Sequence, residues 1–233
     1  MPERDALSAA LALIAGADPA LWGIVGLSLA VSLSAVALAA LIGLPIGAAL
    51  ALFRFPGRGA LVTLFNGMMG LPPVVVGLVV YLLLSRTGPL GELGILFTPG
   101  AMVIAQTILV FPIIAALARQ TVEDAWHEYE EQMRSLGATP RRSIATLIWD
   151  TRFSLATAVL AGLGRASAEV GAVMIVGGNI DGLTRVMTTA IALRTSMGDL
   201  PMALGLGLVL IALIVLINAL AHVVKAMAQA RHG

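Results

Sequence analysis

The chain of 233 residues has no cysteine, few charges and few aromatic side chains. Without cysteine it can form neither disulfide bonds nor thiolate metal sites, and its three histidines lie far apart, which leaves little for a zinc site. Charged residues make up 12% of the chain, whereas about 25% is usual in a soluble domain. The formal net charge of +1 gives no strongly basic surface for nucleic acid. The composition therefore argues against a soluble domain and against a nucleic-acid partner.

Motifs for nucleotide and zinc chemistry are missing as well. The sequence contains no G-x-x-x-x-G-K-[ST], so the chain cannot bind and hydrolyse ATP by the P-loop route, and it contains no H-E-x-x-H. We therefore expect no catalytic residue, no metal site and no cofactor in this chain. If the protein drives uphill transport, the ATPase that binds ATP must be another polypeptide.

What the sequence has in abundance is apolar residues, 59% of the chain, gathered into long runs. A helix that spans a hydrocarbon core ~30 Å thick needs roughly 20 apolar residues. Five runs exceed this length: residues 19–53, 59–85, 93–118, 153–180 and 200–224, of which 153–180 is interrupted by Arg165 and Glu169. The sequence thus predicts an all-α polytopic membrane protein with five transmembrane helices.

The first run is longer than one untilted span requires. Dividing it into two spans would leave about 17 residues for each, with no polar turn between them, which makes a poor hairpin. We therefore expect a single span, part of which extends past the bilayer or is buried in protein.

The ends of the chain differ from the spans. The opening charges Glu3, Arg4 and Asp5 lack the positive bias of a secretory signal, and the apolar stretch from Ala6 to Ala17 is too short to cross a membrane. We predict an interfacial segment over residues 1–20, a transmembrane domain over 21–225 and a cytoplasmic tail over 226–233.

The distribution of arginine and lysine predicts the orientation, because cytoplasmic loops carry the excess of basic residues. Nine basic residues lie on one side of the predicted spans and four on the other. The nine are Arg54, Arg58, Arg119, Arg134, Arg141, Arg142, Arg152, Lys225 and Arg231, and the four are Arg4, Arg86, Arg185 and Arg194. We therefore expect an outside N-terminus and a cytoplasmic C-terminus in the cell membrane.

The cytoplasmic loop between the third and fourth spans, residues 119–152, is unlike the other loops because it carries many of the acidic residues. Apolar residues at three- and four-residue spacing predict a first short helix: Val122, Ala125, Trp126, Tyr129, Met133 and Leu136. Gly137 follows at the position where glycine takes the left-handed conformation without strain. Thr139 and Pro140 are suited to begin a second helix, whose stripe is Ile144, Leu147 and Ile148.

The residues alone allow two interpretations of this helix, glycine turn and helix. One is an amphipathic hairpin on the bilayer surface, and the other is a DNA-reading unit. A DNA-reading helix-turn-helix is disfavoured, because the first helix is acidic and both ends of the unit are tied to membrane spans.

The loop resembles a known family at Glu131-Gln132-Met133 and at Gly137, six residues after the glutamate. This spacing is similar to the EAA---G loop of ABC importer permeases, whose loop docks into a groove of the cytoplasmic ATPase. The resemblance implies that the ATPase-coupling residues are Glu130, Glu131, Gln132, Met133, Leu136, Gly137, Ala138 and Thr139. Where the family usually ends its motif with Ile-x-Leu-Pro, this chain has Leu147-Ile148-Trp149-Asp150.

A second resemblance covers residues 164–180 and 184–193, which are similar to the corresponding span of tungstate-type permeases. Related molybdate and sulfate permeases carry Glu-Phe-Gly where this chain has Glu169-Val170-Gly171. The resemblance implies a membrane subunit that forms a homodimer, pairs with two ATPase subunits and receives an oxyanion from an extracytoplasmic binding protein. Tungstate is the expected oxyanion, with molybdate or sulfate as the alternative. A membrane scaffold or enzyme stays as a different class of function.

The fourth span contains the residues that we assign to a translocation path or gate: Arg165, Glu169, Gly171, Gly177, Gly178 and Asn179. Arg165 and Glu169 are one helical turn apart and are expected to face the same way. Each charge would cost ~2.5–3.5 kcal/mol at mid-bilayer, which pairing partly offsets. The pair either holds this helix to its neighbours or lines the path. The glycines either permit close packing or end the helix at the outer face and let it bend.

Prolines predict breaks in two further spans. Pro72 and Pro73 interrupt the helix ladder of the second span, and Pro112 is expected to kink the third. Such breaks persist in a membrane where neighbouring helices or water satisfy the freed backbone groups. We therefore expect both breaks to face the protein interior.

Overall fold

The computed structural model describes the backbone of residues 3–135, 137 and 139–232, and that part of the chain is helical with no strand. The helices are α1 Glu3–Ala15, α2 Pro19–Leu52, α3 Arg58–Met68, α4 Pro73–Leu84, α5 Pro99–Ser135, α6 Pro140–Asp150, α7 Arg152–Ser167, α8 Gly171–Gly177, α9 Met187–Ser196 and α10 Leu200–His232. A short 3-10 turn covers Gly91–Leu93.

The helices confirm an all-α polytopic membrane protein. Among the described residues, α2, α5 and α10 are each long and apolar enough to cross a membrane alone. Two bent pairs, α3 with α4 and α6 with α7, bring the number of candidate spans to five if each pair counts as one.

The long first run forms one helix, as predicted. Asp18 begins α2, because its Oδ1 accepts the backbone N–H groups of Ala20 at 3.0 Å and Leu21 at 2.9 Å. A side-chain acceptor of this kind satisfies two of the free N–H groups at a helix start. The helix then continues to Leu52 through Pro45.

Helix α1 packs against other helices. Ala6 and Ala10 on α1 are buried, and the backbone of Ala10 approaches Gly205 of α10 so closely that a side chain at Gly205 would contact it. The assignment of residues 1–20 to the membrane interface stays a prediction.

The prediction of a separate first helix in the cytoplasmic loop is wrong. Helix α5 runs without interruption from the third apolar run to Ser135, so the acidic segment is the end of that same helix. The change from apolar to charged residues near Arg119 does not end a helix, since ending one requires a backbone signal such as glycine or proline. No such residue lies between Pro112 and Gly137.

The proline pair breaks the second span, as predicted. Helix α3 ends at Met68 and α4 begins at Pro73, with Pro72 extended before its first residue. Leu71 and Pro72 each precede a proline, which disfavours the helical conformation at both positions. Pro112, in contrast, lies inside the continuous α5, and its expected kink stays a prediction.

The fourth span is also broken, which corrects the expectation of one helix carrying both Arg165 and Glu169. Helix α7 ends at Ser167 and α8 begins at Gly171, so Arg165 lies in the last turn of α7 and Glu169 lies in the break. At its other end, α7 is separated from the α6 segment Ser143–Asp150 by a bend of 69°.

The chain folds into two compact units. The first unit comprises Met1–Ala35, Pro72–Gln106 and Arg165–Leu216, and the second comprises Val36–Leu71, Thr107–Gly164 and Ile217–Gly233. The core of the first unit contains Leu21, Ile24, Val25, Met187, Ala190, Met202 and Leu206. The core of the second contains Ala48, Ala51, Leu52, Ala118, Val122, Ala125, Trp126, Leu147 and Leu155. The candidate sites below are each built within one of these units.

Candidate functional site

The turn between α5 and α6 has the backbone that its sequence predicts. Gly137 has a φ of +74°, in the left-handed region that favours glycine. Thr139 occupies the position before α6 and Pro140 the first position of that helix. The side chain of Thr139 makes no cap hydrogen bond, and its carbonyl instead accepts the N–H and the hydroxyl of Ser143 at 3.0 and 3.1 Å. Leu136 and Ala138, assigned to the same loop, lie outside the described residues.

The apolar stripes of the loop pack within the second unit. Val122, Ala125 and Trp126 on α5 are buried together with Leu147 on α6 and Leu155 on α7. Further residues pack against this cluster while staying partly buried: Tyr129, Met133, Ile144 and Ile148. Because the stripes are already covered by protein, they do not support the interpretation of a hairpin that rests its apolar face on the bilayer.

The other side of the same loop is open. Glu131 and Gln132 are exposed, as are Gly137 and Thr139, whereas Glu130 is partly buried. The motif residues therefore divide in two: Met133 contributes to the core, and Glu131 and Gln132 present polar groups that a partner protein can contact.

Trp149 gives this open side an apolar element that the sequence reasoning did not assign. Its side chain is 71% exposed, and the Arg152 guanidinium lies 4.6 Å from its ring centroid. The same guanidinium lies 4.7 Å from the ring centroid of Phe153 and donates a hydrogen bond to the Trp149 carbonyl. Aromatic residues and arginine are both enriched at protein interfaces. The signal in the sequence was a tryptophan at the end of the family motif, where Leu-Pro is usual.

An arginine and glutamate network supports the loop from within the second unit. Glu123 on α5 accepts hydrogen bonds from Arg58 at 2.6 Å and from Arg119, four residues earlier on the same helix. Arg58 also donates to the Leu50 carbonyl at 2.6 Å. The network therefore fixes the start of α3 against α2 and α5. The sequence reasoning used these arginines only for topology.

Glu169 is the centre of a buried polar cluster in the first unit. Its side chain is 3% exposed, and its carboxylate accepts hydrogen bonds from Arg165 Nη1 at 2.7 Å and from the N–H of Ala172 at 3.0 Å. The second contact satisfies a free N–H in the first turn of α8. The predicted contact with Arg165 is thus present, although across a helix break, and Arg165 itself is 36% exposed.

Two side chains that are distant in sequence donate hydrogen bonds to the backbone at the break between α7 and α8. The Ala166 carbonyl accepts Gln106 Nε2 at 3.1 Å, and the Glu169 carbonyl accepts the Thr188 hydroxyl at 2.7 Å. In a continuous helix these carbonyls would accept N–H groups four residues later. The Ala166 carbonyl also accepts the Glu169 N–H at 3.2 Å, and the two external donors add partners where the helix ladder of α7 ends.

A small cavity of about 10 Å³ lies at this cluster. Its lining includes Ser28, Ser32, Gln106, Ser167, Glu169 and Thr188. Ser28 is fixed by accepting the N–H of Met187 at 2.7 Å and donating to the Ile24 carbonyl at 2.8 Å, whereas Gln106 Oε1 is buried without a protein partner. The volume and the unpaired acceptor suit one water molecule. Sequence reasoning missed Ser28, Gln106 and Thr188, whose signal is a polar residue within an apolar run.

The glycines assigned to the path are sites of close packing and of a helix end. A Cβ at Gly171 would lie 2.8 Å from Val74 Cγ2, and one at Gly177 would lie 2.9 Å from Met102 Sδ. Gly178 has a φ of +70° and Asn179 a φ of +51°, so α8 ends there, and the glycines combine close packing with a helix end. Whether these residues bend or line a path stays a prediction.

A metal centre has no candidate in the described part of the chain. No group of three or more histidine, aspartate or glutamate side chains is placed there to hold an ion.

Known proteins with similar sequences were found by two comparisons. Residues 43–231 match the family described as binding-protein-dependent transport system inner membrane component. The tungstate uptake system permease protein TupB of Peptoclostridium acidaminophilum is 42% identical over 94% of this chain and 96% of its own length. A probable anion ABC transporter permease protein of Haloferax volcanii is 39% identical, over 91% and 94% respectively.

A more distant relative has a different named substrate. The sulfate transport system permease protein CysT of Escherichia coli is 30% identical over 69% of this chain and 60% of its own length. These relatives are all named as transport permeases rather than enzymes.

Proposed function

This chain belongs to the family of inner membrane components of binding-protein-dependent transport systems and is an ABC transporter permease subunit, and on that premise we propose that it forms the path for an imported oxyanion. In this proposal two copies form a homodimer within the membrane lipid. Two cytoplasmic ATPase subunits bind and hydrolyse ATP, and an extracytoplasmic binding protein delivers the anion.

The observation that carries the ATPase assignment is the loop at the end of α5. Its apolar side is buried in the second unit, while Glu131, Gln132 and Trp149 are exposed beside the Gly137 turn. Exposed polar and aromatic side chains that a packed helical backbone holds in place offer a surface that a partner protein can contact. We assign Glu130, Glu131, Gln132 and Met133, with the turn residues 136–139, to the coupling element.

Tungstate is the oxyanion that we propose. The supporting finding is the name of the relative from Peptoclostridium acidaminophilum, which aligns over nearly the whole of both chains. Sulfate is the alternative, because the CysT relative carries that name at lower identity and coverage, and molybdate is chemically close to tungstate. Arg165 and Glu169 are proposed to lie on or beside the path.

Reconstituted transport tests the substrate. The full permease, its ATPase and its binding protein are placed in proteoliposomes. ATP-dependent accumulation of tungstate, molybdate and sulfate is measured for each anion alone, and that of tungstate also with excess molybdate or sulfate as competitor. We expect accumulation that molybdate reduces more than sulfate. Accumulation of sulfate without tungstate would assign the alternative substrate, and no ATP-dependent uptake of any of the three would refute the proposal.

The orientation that we propose follows the basic residues, with the N-terminus outside and the C-terminus in the cytoplasm. Reporter fusions near Gly88 and at the C-terminus test it. We expect an external signal from the first and a cytoplasmic signal from the second. The reverse result at either position would refute this topology.

A further inference from the structure

Two arginines of the first unit line one cavity that the proposed function does not use. Arg185 lies in the segment that leads to α9 and Arg194 in the last turn of α9, and both line a cavity of about 470 Å³. The first turns of α2 form the apolar wall of this cavity, which includes Pro19, Gly23 and Ile24. With Asp181 as the lining carboxylate, the charged groups of the cavity wall sum to one positive charge.

Each arginine is held by an aspartate on one side. Arg185 Nη1 lies 2.7 Å from Asp181 Oδ1, and Arg194 Nη1 lies 3.0 Å from Asp199 Oδ2. The aspartates are more exposed than the arginines, since the side chain of Asp181 is 76% exposed and that of Arg185 only 13%. The carboxylates therefore keep more of their contact with water, whereas the guanidinium groups have lost much of their contact with water.

Each of the two arginines has one N–H donor without an acceptor in the described structure. In the described structure, the Nε–H of Arg185 and that of Arg194 are buried without a hydrogen-bond partner. A buried N–H of a charged group without an acceptor is costly, and two such donors at one cavity point to an acceptor that the chain itself does not supply. Arg185 also donates a long hydrogen bond from Nη2 to the Asn179 carbonyl, at 3.4 Å.

We propose that Arg185 and Arg194 form a binding site for a tetrahedral oxyanion group. Several oxygens on one centre can accept from two guanidinium groups at once, which suits the planar donor geometry of arginine. Asp181 weakens this site by repulsion, so that a bound anion can leave. The inference deepens the proposed function by adding an anion site, and on the proposed topology residues 178–199 are on the side where the anion arrives.

Two sources can supply the oxyanion group. One is the free transported anion, and the other is the phosphate of a phospholipid headgroup, whose chains would contact the apolar wall formed by Pro19, Gly23 and Ile24. The chemistry at the arginines is the same in both cases, so the experiment uses one probe for each.

Binding to the purified full chain in detergent, without ATPase, tests the site. Tungstate and a short-chain phosphatidylglycerol are titrated separately into the parent and into Arg185→Lys/Arg194→Lys, which keeps both charges but removes Nε. We expect the double variant to lose about tenfold or more in affinity for the probe that binds, because lysine cannot donate in a planar fork. Arg86→Lys, an exposed arginine of the same unit, is the matched control and should bind like the parent.

Asp181→Asn provides a second variant in case the lysine variant does not fold. Removing the competing carboxylate should tighten binding of the same probe. Tungstate binding with these two responses assigns the free anion, and phosphatidylglycerol binding with them assigns a lipid headgroup. If neither probe binds, or if both variants bind like the parent, the site is refuted.

The outcome is separable from the proposed function. Binding is measured without ATP, so it does not depend on transport. A parent complex that transports tungstate but shows no anion binding at these arginines would refute this inference alone. Anion binding by a chain that supports no ATP-dependent uptake would refute the proposed function alone.

Discussion

The two units each contain an arginine followed four residues later by a glutamate, and the two pairs have different structural roles. In the second unit, Arg119 and Glu123 lie on the continuous helix α5, and Glu123, 24% exposed, also binds Arg58. In the first unit, Glu169 is 3% exposed and lies beyond the end of α7. Its second carboxylate oxygen accepts the first-turn N–H of Ala172.

The difference shows that charge spacing predicts a contact but not the backbone beneath it. Both pairs meet the four-residue rule for side chains on a helix. One connects α5 to α3, whereas the other holds the start of a new helix. The two pairs differ because, at the end of α7, Gln106 and Thr188 from other helices donate hydrogen bonds to the backbone carbonyls. The following predictions test whether this distinction is real.

The largest effect is expected from Glu169→Leu. It leaves Arg165 without its carboxylate and the N–H of Ala172 without an acceptor, and breaking a buried pair commonly costs about 3–5 kcal/mol. We expect the low end, about 3 kcal/mol, because Arg165 is partly accessible to solvent. Folded yield and thermal unfolding in detergent measure it.

The double variant Arg165→Leu/Glu169→Leu sharpens this prediction. It removes both charges, so it should be more stable than Glu169→Leu alone. It should still be less stable than the parent, because Ala172 keeps an unpaired N–H. A double variant as stable as the parent would mean that Glu169 is only a charge partner and not a helix cap.

A smaller effect is expected from Thr188→Val. It removes the hydroxyl that occupies the Glu169 carbonyl, and an unsatisfied buried acceptor costs about 1–3 kcal/mol. Thr157→Val is the control, because the Thr157 hydroxyl bonds only back to the Phe153 carbonyl of its own helix. Thermal unfolding should separate the two variants. Equal stability would show that the outside donor is not needed at the break.

The smallest effect is expected from Glu123→Gln. The pairs that it weakens are partly exposed to solvent, and such pairs contribute about 0–1 kcal/mol. Its unfolding temperature should differ from that of the parent mainly at low salt, since salt screens exposed charges. A loss as large as that of Glu169→Leu would remove the distinction between the two pairs.

The sequence predicts the spans and the turn well because their causes are local. A run without charge gives the length of α2, Asp18 marks its start, and Gly137 marks the end of α5. The proline pair marks the start of α4 for the same reason. These signals depend on neighbours within a few residues, so reading along the chain detects them.

The break after Ser167 could not be predicted in the same way, because its causes are distant in sequence. Gln106 and Thr188 come from α5 and α9, and a Cβ at Gly171 would lie only 2.8 Å from Val74 Cγ2 of α4. The prediction for the acidic segment after Arg119 was wrong for a different reason. A change from apolar to charged residues was taken for a helix boundary, although no glycine or proline ends the helix there.

We propose that ATP hydrolysis drives oxyanion uptake through the Gly137 turn, and two glycine variants test this coupling most directly. Gly137→Val and Gly57→Val both strain a left-handed position, with φ +74° and +86°, where a side chain has open space. Each should lose roughly 1–2 kcal/mol, so they are matched in strain but not in location. ATP hydrolysis and tungstate uptake are measured together in proteoliposomes. We predict uptake with Gly57→Val and none with Gly137→Val in equally folded complexes; normal uptake with Gly137→Val would contradict the account.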